Sequence, residues 1–129
     1  MKKRNFLPLR ISVLVVSDTR TDTTDTSGKI LVERLTKAGH LLAEKCIVPD
    51  DVYQIRSVMS QWIVNPEVEI VITSGGTGLT GRDSTPEAVS ALFDKEIEGF
   101  GELFRWVSYE EIASSTIQSR VTAGVANGT

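Results

Sequence analysis

Short apolar runs alternate along the chain with segments whose apolar residues recur every three or four positions, a pattern that predicts strands and helices in turn. Residues 11–16, ISVLVV, are apolar on nearly consecutive positions, as expected of a parallel strand covered on both faces. A polar loop over 17–26 follows. The spacing then predicts a helix over 27–37 with Ile30, Leu31, Leu35 and Ala38 facing inward, stopped by Gly39, where a left-handed residue ends helices. Residues 40–48 return as a second strand. A second helix is predicted from about 51 to 64, its apolar stripe being Val52, Ile55, Met59, Trp62 and Ile63. Asp50 or Asp51 suits the positive end of that helix, and Asn65-Pro66 breaks it.

Residues 68–73 read as a third strand, with the loop SGGTGLTGRD leaving its carboxyl end. A helix should start at Ser84 or Thr85, because Ser84 and Glu87 have capping-box spacing and Pro86 is tolerated in a first turn. After EGFGE, which reads as a mobile connection, 103–112 is a further helix. From Ser119 the chain reads as the beginning of a strand and a turn. The alternation predicts an α/β fold, doubly wound, with a mostly parallel sheet and helices on both faces. The 129 residues suit one domain, 1–129, with one substantial core.

Charge and composition narrow the function. A net charge of −3 argues against a nucleic-acid partner, since duplex affinity rests on many Lys and Arg contacts to phosphate. The basic start MKKRNF and the brief run ISVLVV lack the cleavage pattern of a signal peptide, and no run has transmembrane length, so no membrane partner is expected. The single cysteine, Cys46, allows no intrachain disulfide and fits a reducing cytoplasm.

The glycine loop carries the clearest chemistry. Gly76-Thr77-Gly78-Leu79-Thr80-Gly81 matches the dinucleotide fingerprint, but Pro86 delays the helix beyond the glycines and the strand is the third, not the first. The same stretch nearly matches a P-loop, yet Arg82 and Asp83 stand where that motif needs Lys and Ser or Thr. What survives is an anion-binding turn at the end of a parallel strand, where backbone N–H groups form a concavity. Asp83 then fits a Mg²⁺ ion arriving with phosphate, and Arg82 can neutralise a phosphoryl oxygen. The alternative is a structural turn with a surface ion pair. Asp50-Asp51 should open on the same sheet edge as Asp83, unless both residues only cap the second helix.

Other residues read as structural. His40 has no second ligand at metal spacing and belongs to a turn or surface. Cys46 suits a small buried hydrophobe in a strand. Trp62 lies on an inner stripe, whereas Trp106 suits either core or an oligomer contact. Asp18, Asp22 and Asp25 miss the alternation of a calcium loop, and Asp94, Glu96 and Glu98 read as a solvated face.

The segments VSDTRTDTTDTSGKIL, IVPDD, SGGTGLTGRDSTPEA, EIEGFGELFR and STIQSR together resemble the MoaB/Mog family of molybdenum-cofactor biosynthesis proteins, over nearly the whole chain. The resemblance implies a molybdopterin-binding α/β domain, assembled as a homotrimer or hexamer, whose active members transfer AMP from Mg-ATP to the terminal phosphate of molybdopterin and release pyrophosphate. Carried onto this sequence, it implies that Ser74, Gly75, Gly76, Thr77 and Gly78 cradle substrate or nucleotide phosphate. Asp50 and Asp83 match acidic positions linked to Mg²⁺ and transfer, and Ser17, Asp25, Ser27 and Gly28 line the same pocket. The chain keeps Arg82, Asp83, Thr85, Pro86 and Glu87, as active members do; a non-catalytic molybdopterin- or nucleotide-binding oligomer of the same pathway is the alternative. The family pattern continues with a strand, a Pro-Gly loop and a closing helix, so a domain truncated at its carboxyl end is expected.

Overall fold

The computed structural model describes residues 4–118 and 120–129. Ser119, where the last strand was expected to begin, lies outside them, as do the first three residues of the basic start. In chain order the elements are β1 (Arg10–Val16), α1 (Ser27–Lys37), β2 (Leu41–Val48), α2 (Val52–Val64), β3 (Ile70–Ser74), α3 (Thr85–Ser90), β4 (Lys95–Glu96), α4 (Gly99–Ile112), a 3₁₀ segment (Ala113–Gln118) and β5 (Gly124–Val125). The main sheet is parallel, in the order β2-β1-β3, and a small antiparallel ladder joins β4 to β5.

β1 is buried on both faces because it is the central strand. Leu14 and Val16 face α2 and α3 with Val48, Ile55, Met59, Trp62 and Ala88, while Ile11, Val13 and Val15 face α1 with Leu35. Each such fully buried aliphatic side chain contributes about 1.5–3 kcal/mol by removal from water. Helices thus cover both faces, as the unbroken apolar run of β1 predicted. The indole N–H of Trp62 donates to Glu44 Oε2 at 2.7 Å, which satisfies the one polar atom of a large core side chain.

Four local expectations change. Ile30 and Ala38 are exposed, and α1 instead presents Gly28, Leu31, Val32 and Leu35 inward. The capping box at Ser84 does not form: Ser84 gives its hydroxyl to Asp50, and Glu87 pairs with Arg120. EGFGE is not a loose connection, since α4 begins at Gly99 within it. The expected closing strand is reduced to Gly124–Val125, which pairs with Lys95–Glu96 in a ladder that alternation in the sequence did not mark.

Beside β3, whose outer edge has no strand partner among the described residues, runs a groove of about 890 Å³ lined by residues including Ile30, Met59, Ile70, Ile72, Phe93 and Val125. No helix among the described residues is long and apolar enough to cross a membrane.

Candidate active site at the carboxyl edge of the sheet

The loops after β1, β2 and β3 all leave the same edge, and the connections from β1 and β3 diverge at the point where strand order reverses. That is where open α/β sheets bind ligands. Ser17 N–H donates to Val48 O at 2.9 Å, tying the first loop to the end of β2.

Two glycines turn the chain sharply as it leaves β3. Gly75 and Gly76 have φ of +97° and +68°, and a Cβ on Gly75 would stand 2.2 Å from the Val16 carbonyl oxygen. Only glycine meets both demands. Among the described residues, no acceptor pairs with the N–H groups of Gly76 and Thr77, so these remain open to an anion. Thr85 has an inner place: it is 2 % exposed, its hydroxyl donates to Gly75 O at 2.8 Å and its N–H to Gly76 O at 3.0 Å. It braces the turn from beneath.

Asp50 and Asp51 divide the two roles that their sequence left open. Asp51 caps α2 by accepting from Gln54 N–H at 2.9 Å. Asp50 reaches across to the glycine loop, where its Oδ1 accepts the Ser84 N–H at 3.0 Å and the Ser84 hydroxyl at closer range. Its Oδ2 lies beside Gly76, where a Cβ would come within 3.1 Å. Asp83 folds back on its own loop, Oδ2 accepting the Thr80 hydroxyl at 2.7 Å and the Thr80 N–H at 3.0 Å. Those two donors hold its carboxyl below the usual carboxylate range, helped by the Gly78 amide and the Arg120 charge. A Cβ on Gly78 would stand 2.6 Å from Asp83 Oδ2, so that glycine is needed for close approach.

Arg82 is engaged with Asp18, donating from Nη2 at 2.7 Å and Nε at 3.1 Å. Asp18 Oδ1 also accepts the Asp50 N–H at 3.0 Å. The Arg82 fork, then the Asp50 amide, lower the Asp18 pKa. The first and third loops are therefore linked across the mouth of the site by a bidentate ion pair.

The residues expected from the first loop split in two. Ser17 stays at the rim, its hydroxyl accepting from the N–H groups of Thr19 and Arg20 at 3.2 and 3.0 Å, and Ser27 is exposed at the start of α1. Asp25, only 1 % exposed, and buried Gly28 lie under the pocket instead of on its surface. Asp25 Oδ1 accepts the Gly28 N–H at 2.9 Å, and Oδ2 forms an ion pair with Lys45 Nζ at 2.8 Å. Burial alone would raise the Asp25 pKa, but Lys45 and the Gly28 amide outweigh it and the net shift is downward. A Cβ on Gly28 would stand 2.1 Å from Asp25 Oδ2, so the glycine makes room for this carboxylate.

Sequence reasoning did not single out Asp18, Thr80, Lys45 or Arg120 as parts of this region. A lysine within the strand LLAEKCIV was a usable signal, because it requires a buried or bridging anion. Arg120 lies 42 residues from its partner Gly78, and the segment STIQSR that ends in it gave no sign of which loop it grips. The remaining structural readings have plain counterparts. His40 Nδ1 accepts the Leu9 N–H at 3.1 Å, burial raises the thiol pKa of half-buried Cys46, and Trp106 is exposed.

Residues 12–128 match the family described as a probable molybdopterin binding domain. The chain is 51% identical over 124 residues to molybdenum cofactor biosynthesis protein B of Escherichia coli (strain K12), covering 96% of this chain and 73% of the relative. It is 39% identical over 129 residues to the molybdopterin adenylyltransferase of Pyrococcus furiosus, covering 98% of this chain and 75% of that protein. A crystal structure of a molybdenum cofactor biosynthesis protein B superposes with a TM-score of 0.91 at 47% identity, over 95% of this chain and 77% of the other.

Proposed function

The chain belongs to the probable molybdopterin binding domain family, and from that premise we propose that it is a molybdopterin adenylyltransferase of molybdenum cofactor biosynthesis. It transfers AMP from Mg-ATP to the terminal phosphate of molybdopterin and releases pyrophosphate. The observation that carries this reading is a glycine turn with open backbone N–H groups, flanked by Asp50, which binds the residue that follows Asp83, and by Asp83 itself, folded against Thr80.

The open amides of Gly76 and Thr77 bind a phosphate group, with Ser74, Gly75 and Gly78 shaping the turn around it. Asp50 and Asp83 would hold Mg²⁺ against the substrate phosphates. Among the described residues no group of three or more His, Cys, Asp or Glu side chains is arranged to hold a metal. Substrate phosphates and water would complete the shell, which suits magnesium, an ion that takes one or two protein carboxylates beside phosphate and water. When bound, the ion supplies charge neutralisation as pyrophosphate leaves. Arg82 exchanges its exposed partner Asp18 for a phosphoryl oxygen, trading one bidentate anion for another. Ser17 and Ser27 form the facing wall, and Asp25 with Gly28 supports it from below; Thr85 supports the turn.

The exposed apolar face of α4, with Leu103, Phe104, Trp106, Val107, Tyr109 and Ile112, supports assembly into a homotrimer or hexamer. The lone cysteine supports a cytoplasmic location.

Incubation with Mg-ATP and molybdopterin tests the reading. Pyrophosphate and adenylylated pterin should appear in equal amounts and vanish with EDTA. Ligand binding without turnover would overturn the enzyme and leave a binding protein; no binding of either ligand would overturn both.

A further inference from the structure

We infer that Arg120 is a positioning residue that sets the two site carboxylates by fixing the peptide planes that bind them; its part in turnover rests on the adenylyltransferase reading. The argument starts from its contacts. Arg120 Nε donates to Gly78 O at 2.5 Å, Nη2 donates to Asp83 O at 2.6 Å, and its backbone N–H donates to Thr77 O at 3.3 Å. Nη1 pairs with the Glu87 carboxylate, which holds the fork in place. One side chain thus grips the loop at Gly78 and at Asp83, and the backbone of the same residue holds Thr77.

A trans peptide is planar, with its C=O and N–H pointing in opposite directions. Fixing a carbonyl therefore fixes where the next amide points. The peptide whose carbonyl is Asp83 O carries the Ser84 N–H, and that N–H donates to Asp50 Oδ1. The peptide whose carbonyl is Thr77 O carries the Gly78 N–H, one of the donors that stabilise the Asp83 carboxylate. Arg120 stands on the far side of both peptides from the carboxylates. Its side chain hydrogen-bonds to neither, although its charge helps to lower the Asp83 pKa; the side chain aims the amide that Asp50 receives, and the backbone N–H of the same residue aims the one that Asp83 receives. A lysine offers a single point charge and cannot span the Gly78 and Asp83 carbonyls together.

The test compares Arg120→Ala, Arg120→Lys and Glu87→Gln with the unmodified chain. In the free protein, amide hydrogen exchange across 77–84 should accelerate at least tenfold in Arg120→Ala and less in Glu87→Gln, while β1 and α2 exchange as before. With Mg-ATP and molybdopterin, Arg120→Ala should lose about a hundredfold in kcat with less than a threefold change in the KM for ATP, on the scale of misplaced catalytic groups. Millimolar guanidinium should restore part of that kcat, whereas Arg120→Lys should remain near Arg120→Ala. Unchanged loop exchange in a folded Arg120→Ala would overturn the inference, and so would faster exchange with unchanged kcat. If the unmodified chain makes no pyrophosphate, the enzyme reading fails while loop exchange still decides whether Arg120 aims these amides. If Arg120→Ala does not fold, Glu87→Gln and Arg120→Lys carry the same comparison.

Discussion

Asp25 and Asp83 are both carboxylates with lowered pKa in loops that follow parallel strands, yet they are held by opposite means. Asp25 is 1 % exposed and sits against Lys45 and the Gly28 amide, its charge balanced in the interior. Asp83 lies near the surface, bonded mainly to the Thr80 hydroxyl and amide within its own loop. A buried ion pair resists change because either half left alone is an unpaired charge. A carboxylate held by neutral donors keeps its charge for something outside the protein. The difference separates a support from a candidate ligand, although both residues are aspartates of comparable spacing from a strand end.

The largest expected effect sharpens the outer half of the comparison. Asp83→Asn should lower Mg-dependent pyrophosphate release by about two to four orders of magnitude, the scale of losing a key electrostatic group. Its urea midpoint should fall only slightly, as expected for a carboxylate near the surface, and turnover close to normal would return the loop to a binding role.

The inner half should break differently. Asp25→Asn strands Lys45 beside an uncharged amide and should cost about 3 kcal/mol in urea unfolding. Combining it with Lys45→Met should recover part of that loss, since both charges then leave together. A double variant as unstable as the two single changes added would show that the pair is not coupled.

Acid provides a milder probe. The folded Asp25 carboxyl titrates below its ordinary value of 3.8, so the unfolded chain takes up that proton first as pH falls. Its contribution is complete above the unfolded pKa and is lost as pH drops through the lower folded value. The stability gap between the unmodified chain and Asp25→Asn should therefore be constant from pH 5 upward, roughly, and close below about pH 4. A gap that widens in acid would contradict the ion pair. The smallest effect belongs to the rim, where Asp18→Asn removes an exposed partner of Arg82; the urea midpoint should not move measurably, as is usual for exposed pairs.

Much of this arrangement was legible because it follows from periodicity and turn chemistry. The consecutive apolar residues of β1 require cover on both faces, and the stripe of α2 supplies one of them. Gly39 ended α1 where a left-handed residue was needed, with φ of +93°. The glycine loop and Asp50 were visible as residue types at a sheet edge. What stayed hidden depends on distance in sequence. Ser84 and Glu87 satisfy a local capping rule, but Asp50 and Arg120 compete for them across 34 and 33 residues, and the tertiary partners win. Ile30 fits the helical stripe by number, yet it overlooks the groove beside β3.

The two tryptophans have a practical consequence for anyone following this protein in solution. Trp62 is 2 % exposed with its indole N–H bound to Glu44, whereas Trp106 is 74 % exposed on α4. Selective excitation therefore addresses two reporters with separate environments. Iodide should quench the red-shifted emission of Trp106 wherever the α4 face is free of a second copy and leave the blue component of Trp62, so a single spectrum follows assembly at that helix surface and loss of the core as independent signals.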